Sequence, residues 1–206
     1  MSLEARDLTF HYPRRGKRPV LEHISLALEP GEWLGLSTPS GRGKTTLCQL
    51  LAGYQRPTDG EVLLDGEPLS QYQGACPVQM IWQHPETALD PLLPLETSLH
   101  EAGPVEERLL EALHIQPQWL RRYPQELSGG ELQRFCIARA LGTQTRYLLC
   151  DEITAMLDLI TQAQIWQFLL KEAQRRELGL LVVSHNSALL ERICSRIVTL
   201  PPLGAP

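Results

Sequence analysis

Glu32-Trp33-Leu34-Gly35-Leu36-Ser37-Thr38-Pro39-Ser40-Gly41-Arg42-Gly43-Lys44-Thr45-Thr46 is the stretch that decides how this chain folds. The short apolar run at residues 32–37 reads as a buried strand. A turn rich in Pro and Gly follows, then a helix-like stretch over residues 44–52 that stops at Gly53. Gly41 and Gly43 have no Cβ, so backbone N–H groups there can curl around phosphate oxygens. The helix opening near Lys44 points the positive end of its dipole at the same place. Lys44 can then reach the outer phosphates of a nucleotide, and the Thr45 hydroxyl can ligate Mg²⁺. The general pattern for such a loop begins with Gly, and here Thr38 stands in that position. Pro39 beside it removes a backbone donor and biases Thr38 toward extended backbone. If the position demands positive φ, Thr38 is strained and nucleotide affinity falls. A simple Gly-rich turn is the competing reading, and the strand-to-helix context argues against it.

Outward from this loop, residues 3–12 and 20–28 alternate as strands, broken at Pro13 and Pro19 and closed by Pro30-Gly31. Residues 60–64 and 78–82 read as further strands. From Pro85 to about Gln125 the texture changes to prolines and short helical patterns, with Pro104 placed to open a helix whose stripe is Val105, Leu109, Leu110 and Leu113. Residues 131–141 read as a helix stopped by Gly142, 147–150 as a buried strand, 160–178 as a long amphipathic helix capped by Gly179, and 180–184 as another buried strand. Apolar strands alternating with helices imply a parallel, helix-covered sheet. One α/β core with a mostly helical insertion between Pro85 and Gly142 is expected, and nothing resembles an internal repeat.

The 206 residues suffice for one domain, and 43% hydrophobic with 21% charged residues is ordinary for a globular chain. A formal charge of -5 argues against a nucleic-acid partner. The one basic cluster, Arg14, Arg15, Lys17 and Arg18 around Gly16, reads as a solvated loop. Cys48, Cys76, Cys136, Cys150 and Cys194 form no Cys-x-x-Cys pair, which points to a reducing compartment without a zinc site or disulfide framework. Residues 1–10 show no signal-peptide pattern, and no apolar run approaches the roughly 20 residues a membrane span needs. Membrane association is expected to come through a partner.

Two more constellations bear on chemistry. Leu148-Leu149-Cys150-Asp151-Glu152 places two acids at the C-terminal end of a buried strand, the edge where open α/β sheets bind ligands. Asp151 there would help hold Mg²⁺, and Glu152 could orient or deprotonate an attacking water. Acids also end strands for ordinary reasons, so this pattern gains weight from the phosphate loop. Leu127-Ser128-Gly129-Gly130-Glu131-Leu132-Gln133-Arg134 offers Ser128 as an N-cap, with two glycines leaving N–H groups open at a helix start. That is a second anion site, and an ordinary cap would not need both glycines.

Together these residues make the chain resemble an ABC-type ATPase subunit over nearly its whole length. The resemblance implies an α/β fold: a P-loop NTPase (RecA-like) core at residues 1–85 and 143–206, an antiparallel β subdomain, and a helical subdomain at 86–142 carrying the signature motif. It implies ATP and Mg²⁺ as cofactors. Thr38, Ser40, Gly41, Arg42, Gly43, Lys44, Thr45 and Thr46 fall in Walker A, Asp151 in Walker B, and Glu152 matches the catalytic glutamate. Ser128, Gly129 and Gly130 match the signature motif, which in this family contacts ATP bound to the partner subunit. Gln83 matches the Q-loop glutamine that senses the metal, His185 the switch histidine, Asp158 the D-loop, and Tyr12 the aromatic on which adenine stacks. Taken singly, His185 could be an ordinary hydrogen-bonded histidine and Tyr12 a core edge; the full set in family order argues otherwise. Ile153 departs from the proline usual after the catalytic glutamate.

Gln79-Met80-Ile81-Trp82-Gln83-His84-Pro85, Leu89-Asp90-Pro91 and Gln162-Ala163-Gln164 look like the peptide and nickel importer branch. The resemblance implies a peripheral subunit on the cytoplasmic face of the inner membrane. Its expected partners are transmembrane permease subunits, a second ATPase subunit and, indirectly, an extracytoplasmic binding protein. Nickel, a metal chelate or a short peptide is the expected cargo. Members of this branch usually continue beyond the point where this chain ends. An ATPase of a non-transport complex similar to the carbon–phosphorus lyase machinery, an exporter ATPase, and a subunit that binds ATP without hydrolysing it are the alternatives. A chromosome-organising ATPase would need a long coiled coil where this chain is short and Pro-rich.

Overall fold

A computed structural model describes residues 2–13, 19–101, 103–201 and 203. The basic cluster at residues 14–18 lies outside them. The described residues form two sheets. The first is antiparallel, in the order β2-β1-β4-β5, from β1 (Leu3–Phe10), β2 (Leu21–Leu28), β4 (Asp59–Leu64) and the two-residue β5 (Glu67–Pro68). The second is parallel, in the order β6-β7-β8-β3-β9, from β3 (Trp33–Leu36), β6 (Val78–Ile81), β7 (Tyr147–Asp151), β8 (Gly179–Val183) and β9 (Arg196–Val198). Helix α1 (Lys44–Leu51) follows β3. Between β6 and β7 come α2 (Leu95–Leu99), α3 (Glu107–Ala112) and α4 (Gly129–Ala140); α5 (Leu159–Arg176) and α6 (Ser187–Ile193) follow β7 and β8.

Side-chain parity builds the layers. Along the parallel sheet, Leu34, Leu36, Tyr147, Leu149, Leu181 and Val183 share one core with α1 and the antiparallel sheet. Their alternates Leu148, Cys150, Leu180 and Val182 share a second core with α2, α4, α5 and α6. Both faces are therefore covered, which is why these strands read as continuous apolar runs. In the antiparallel sheet the alternation slips where Asp7 and His23 take φ of 52° each. The resulting bulge lets Leu3, Ala5, Leu8 and Phe10 all face the core despite an irregular spacing. Asp65 and Gly66, with φ of 56° and 87°, turn β4 into β5.

Three boundaries differ from the sequence expectation. Pro104 does not open α3, which starts at Glu107 with Glu106 as its N-cap. Helix α4 starts at Gly129, two residues earlier than expected, because Ser128 caps it. Gly179 does not cap α5: Glu177 does so in the left-handed conformation, with φ of 54°. Gly179 is instead the first residue of β8, where a Cβ would stand 2.6 Å from the Tyr147 ring and 2.9 Å from the Glu29 carbonyl oxygen. Close packing between strands, not chain reversal, requires that glycine.

Candidate active site

The strand order sets the site. β3 and β7 each flank β8, so Leu36, Val183 and Asp151 stand level at one edge of the sheet, with Leu36 paired to Val183 and Asp151 paired to Val183. What each strand carries just beyond that level converges. After β3 comes the loop, after β7 Glu152, after β8 His185; β6 ends one level earlier, and Gln83 follows it by two residues.

Gly43, with φ of 84°, is the N-cap of α1. A Cβ there would lie 2.9 Å from the Val20 carbonyl oxygen, and Gly41 takes φ of 77°. The loop thus demands glycine at both places. Thr38 is absent from the described residues with positive φ, so the strain raised by its sequence does not arise. Its hydroxyl accepts a hydrogen bond from the Leu200 N–H at 3.0 Å, and its carbonyl accepts one from Lys44 Nζ at 2.8 Å.

Lys44 is 6% exposed. Its Nζ lies 3.5 Å from Glu152 Oε1 and 3.1 Å from His185 Nε2. His185 Nε2 is also 2.9 Å from Glu152 Oε1 and 3.2 Å from Ser40 Oγ. One nitrogen cannot both accept from the Lys44 ammonium and donate to Glu152, so the proton on His185 decides which contact is a hydrogen bond. Glu152 itself takes φ of 50°, a strained conformation for a non-glycine residue, while its N–H donates to the Val183 carbonyl at 3.1 Å.

Asp151 shares parity with Leu149 and so faces α1. It is 2% exposed, and burial pushes its carboxyl up from the usual Asp range, with Glu152 adding to the rise. The Thr45 hydroxyl, donating to it, and Lys44 pull the other way. The Tyr12 hydroxyl lies 3.1 Å from Thr46 Oγ1 and 3.4 Å from Gln49 Oε1 of α1, while its ring meets Phe10 edge-on.

Ser128, Gly129 and Gly130 are not part of this cluster. Ser128 Oγ accepts from the Glu131 N–H at 3.4 Å and Glu131 Oε2 accepts from the Ser128 N–H at 2.8 Å, a reciprocal cap. Leu157 packs against Gly130, and Asp158 caps the neighbouring α5 by accepting from the Ile160 and Thr161 N–H groups at 3.0 Å each. Among the described residues, no hydrogen bond or ion pair joins Ser128–Gly130 to the loop 38–46. Sequence reading missed the hydroxyl contact of Thr38 with Leu200, since 162 residues separate the two. It also missed Gln133, whose burial inside α4 carries no sequence mark.

The family model described as ABC transporter matches residues 21–155, more than half of the chain and including the loop, the Ser128 cap and the Asp151-Glu152 strand end. The chain belongs to the ABC transporter family. ABC family members hydrolyse ATP to energise transport, and this chain is an ATPase of that kind. It is 34% identical to the nickel import ATP-binding protein NikE of Escherichia coli, over 96% of this chain and 83% of that one. The nickel import system ATP-binding protein NikE of Staphylococcus aureus is also 34% identical, over 96% and 86%. Among solved structures, the dimeric structure of MJ0796, a bacterial ABC transporter cassette, superposes with a TM-score of 0.81 at 26% identity, covering 96% of this chain and 94% of that one. The two-sheet architecture is thus the ABC ATPase fold. Among the described residues no helix is long and apolar enough to cross a membrane.

Proposed function

We propose that this chain is the nucleotide-binding subunit of an ABC importer carrying nickel, a metal chelate or a short peptide. The observation that carries the cargo class is its 34% identity, over 96% of its length, to proteins named for nickel import. The subunit sits peripherally on the cytoplasmic face of the inner membrane, held there by transmembrane permease subunits. An extracytoplasmic binding protein delivers the cargo to them. The core spans residues 1–85 and 143–206, and the helical subdomain 86–142.

In this reading the loop from Thr38 to Thr46 wraps the phosphates and Lys44 holds the outer ones, while Tyr12 packs on the adenine. Thr45 and Asp151 fit Mg²⁺: the Thr45 hydroxyl already meets the buried Asp151 carboxylate, and hard oxygen donors suit that ion; Gln83 joins them on the family resemblance. When bound, the ion neutralises phosphate charge. Glu152 takes the proton of the attacking water. His185, 2.9 Å from Glu152, orients that carboxylate and donates toward the departing phosphate. The Glu152–Lys44 contact must open when the nucleotide arrives, because both groups face the place its outer phosphate takes. The second anion site, at Ser128, Gly129 and Gly130 with Asp158 beside it, serves ATP bound to a second ATPase subunit. Its separation from the loop cluster within one chain supports that reading.

A pull-down from membranes with the tagged chain, with and without ATP, tests it. Recovery of multi-span permease subunits and a second ATPase subunit is expected. Recovery of soluble enzymes alone would overturn the importer assignment and leave the ATPase assignment standing.

A further inference from the structure

Glu152 keeps its strained φ of 50° only if the structure around it holds it there. Its N–H is tied to the Val183 carbonyl, but the chain beyond it leaves the sheet in two overlapping turns. The Glu152 carbonyl accepts from the Ala155 N–H at 3.0 Å, and the Thr154 carbonyl from the Leu157 N–H at 3.2 Å. Ile153, between Glu152 and Thr154, lacks the fixed φ of a proline, so its covalent structure does not set the first turn.

Helix α5 grips both turns. The Trp166 indole N–H donates to the Thr154 hydroxyl at 3.2 Å, and the Gln162 side-chain amide donates to the Leu157 carbonyl at 2.8 Å. Gln162 and Trp166 stand four residues apart and so share one face of the helix. Trp166 and Thr154 are each 6% exposed. An indole nitrogen can only donate, and at such depth it is costly unless paired. Phe or Leu would fill the core that also holds Ile153, Ile165 and Leu169 without that demand. What tryptophan adds there is the bond to Thr154.

We propose that Trp166 is a positioning residue for ATP hydrolysis: through the Thr154 hydroxyl it fixes the turn after Glu152, and with it the direction of the Glu152 carboxylate. Gln162 secures the second turn. Without the bond the turn relaxes, and the carboxylate leaves the place of the attacking water. Among the described residues no hydrogen bond joins Trp166 or Thr154 to the loop 38–46, so the loop's hold on the nucleotide is spared. The loss therefore falls on kcat and not on KM. The inference rests on the role proposed above for Glu152.

Steady-state ATP turnover by the full chain tests it. Trp166→Phe keeps an aromatic ring and removes the donor; Thr154→Val keeps the shape and removes the acceptor. Each is expected to lower kcat about tenfold with the ATP KM held within about twofold, and the double variant to be no slower than the slower single. Thr154→Ser, which retains the hydroxyl, should stay within about twofold of the parent kcat. An unchanged kcat for Trp166→Phe, losses that multiply to about a hundredfold, or a Thr154→Ser chain as slow as Thr154→Val would overturn the proposal. A bond needed only for stability would lower the melting temperature and leave the kcat of the folded chain alone. Should Trp166→Phe not fold, Thr154→Val against Thr154→Ser makes the same comparison.

Glu152→Gln separates this proposal from the reading beneath it. Where that change abolishes turnover, adding Trp166→Phe should cost nothing further, and a further tenfold or so would mean that Trp166 acts elsewhere. If Glu152→Gln leaves turnover intact, the role given to Glu152 falls, and amide hydrogen exchange decides the positioning. Trp166→Phe must then speed exchange at residues 152–157 while β7 stays protected. Exchange unchanged across that segment refutes it.

Discussion

Thr38 carries two hydrogen bonds that the loop pattern does not foretell. Its hydroxyl accepts from the buried Leu200 N–H beyond β9, and its carbonyl accepts from Lys44. Thr38 therefore ties the segment after the edge strand to the loop lysine, a contact glycine could not make. Thr38→Val keeps the shape but strands the Leu200 N–H, and is expected to cost about 1–3 kcal/mol in denaturant unfolding. Thr38→Ser should restore most of it. A Thr38→Val chain as stable as its parent would remove this role. At this scale the sequence was informative where chemistry is local: Gly41, Gly43 and Lys44 lie in one turn, and their residue types fix what they can do. It was silent where contact is long-range, as for Ser40 with His185, 145 residues apart.

Elements were legible where apolar runs were long and bounded. β7 and β8 follow from continuous Leu, Val and Cys runs, and α1 from its position between Gly43 and Gly53. Boundaries failed where a residue type has two uses. Gly179 reads as a helix stop because glycine adopts positive φ freely, yet its actual reason is the Tyr147 ring. The insertion was harder still, since α2 and α3 are five and six residues long and their stability comes from packing, not from propensity. Glu172 on α5 shows what holds α3 in place. It is 4% exposed and receives bidentate hydrogen bonds from Arg108 of α3 at 2.8 and 3.0 Å, with Arg175 adding a second guanidinium. Burial alone would push the Glu172 carboxyl up; the guanidiniums outweigh it and hold it at about 2, against an ordinary 4.5. A depressed folded value means this contribution is complete above pH 4.5 and is lost as pH falls from there through about 2. The shift corresponds to about 3 kcal/mol. Unfolding free energies at several pH values should show parent and Glu172→Gln converging by roughly that amount across this window. A constant gap between them would contradict the assignment.

For the whole molecule, the parallel order β6-β7-β8-β3-β9 is the decisive arrangement, because it sets β8 between the phosphate loop strand and the acidic strand. Three segments distant in sequence then end at one edge, where Lys44, Glu152, His185 and Ser40 meet within 3.5 Å contacts. Sequence motifs supplied the members of that cluster, while strand order supplied their meeting. The Ser128 cap lies apart from this cluster, on α4; under the function proposed above, a second subunit brings one such cap to each loop. The direct test compares the parent with Glu152→Gln, measuring ATP turnover and, by sedimentation, mass with ATP and Mg²⁺. Turnover should fall at least about a hundredfold, the scale of a lost general base, and the variant should sediment as an ATP-dependent dimer. A variant that hydrolyses ATP at the parent's rate would contradict the account.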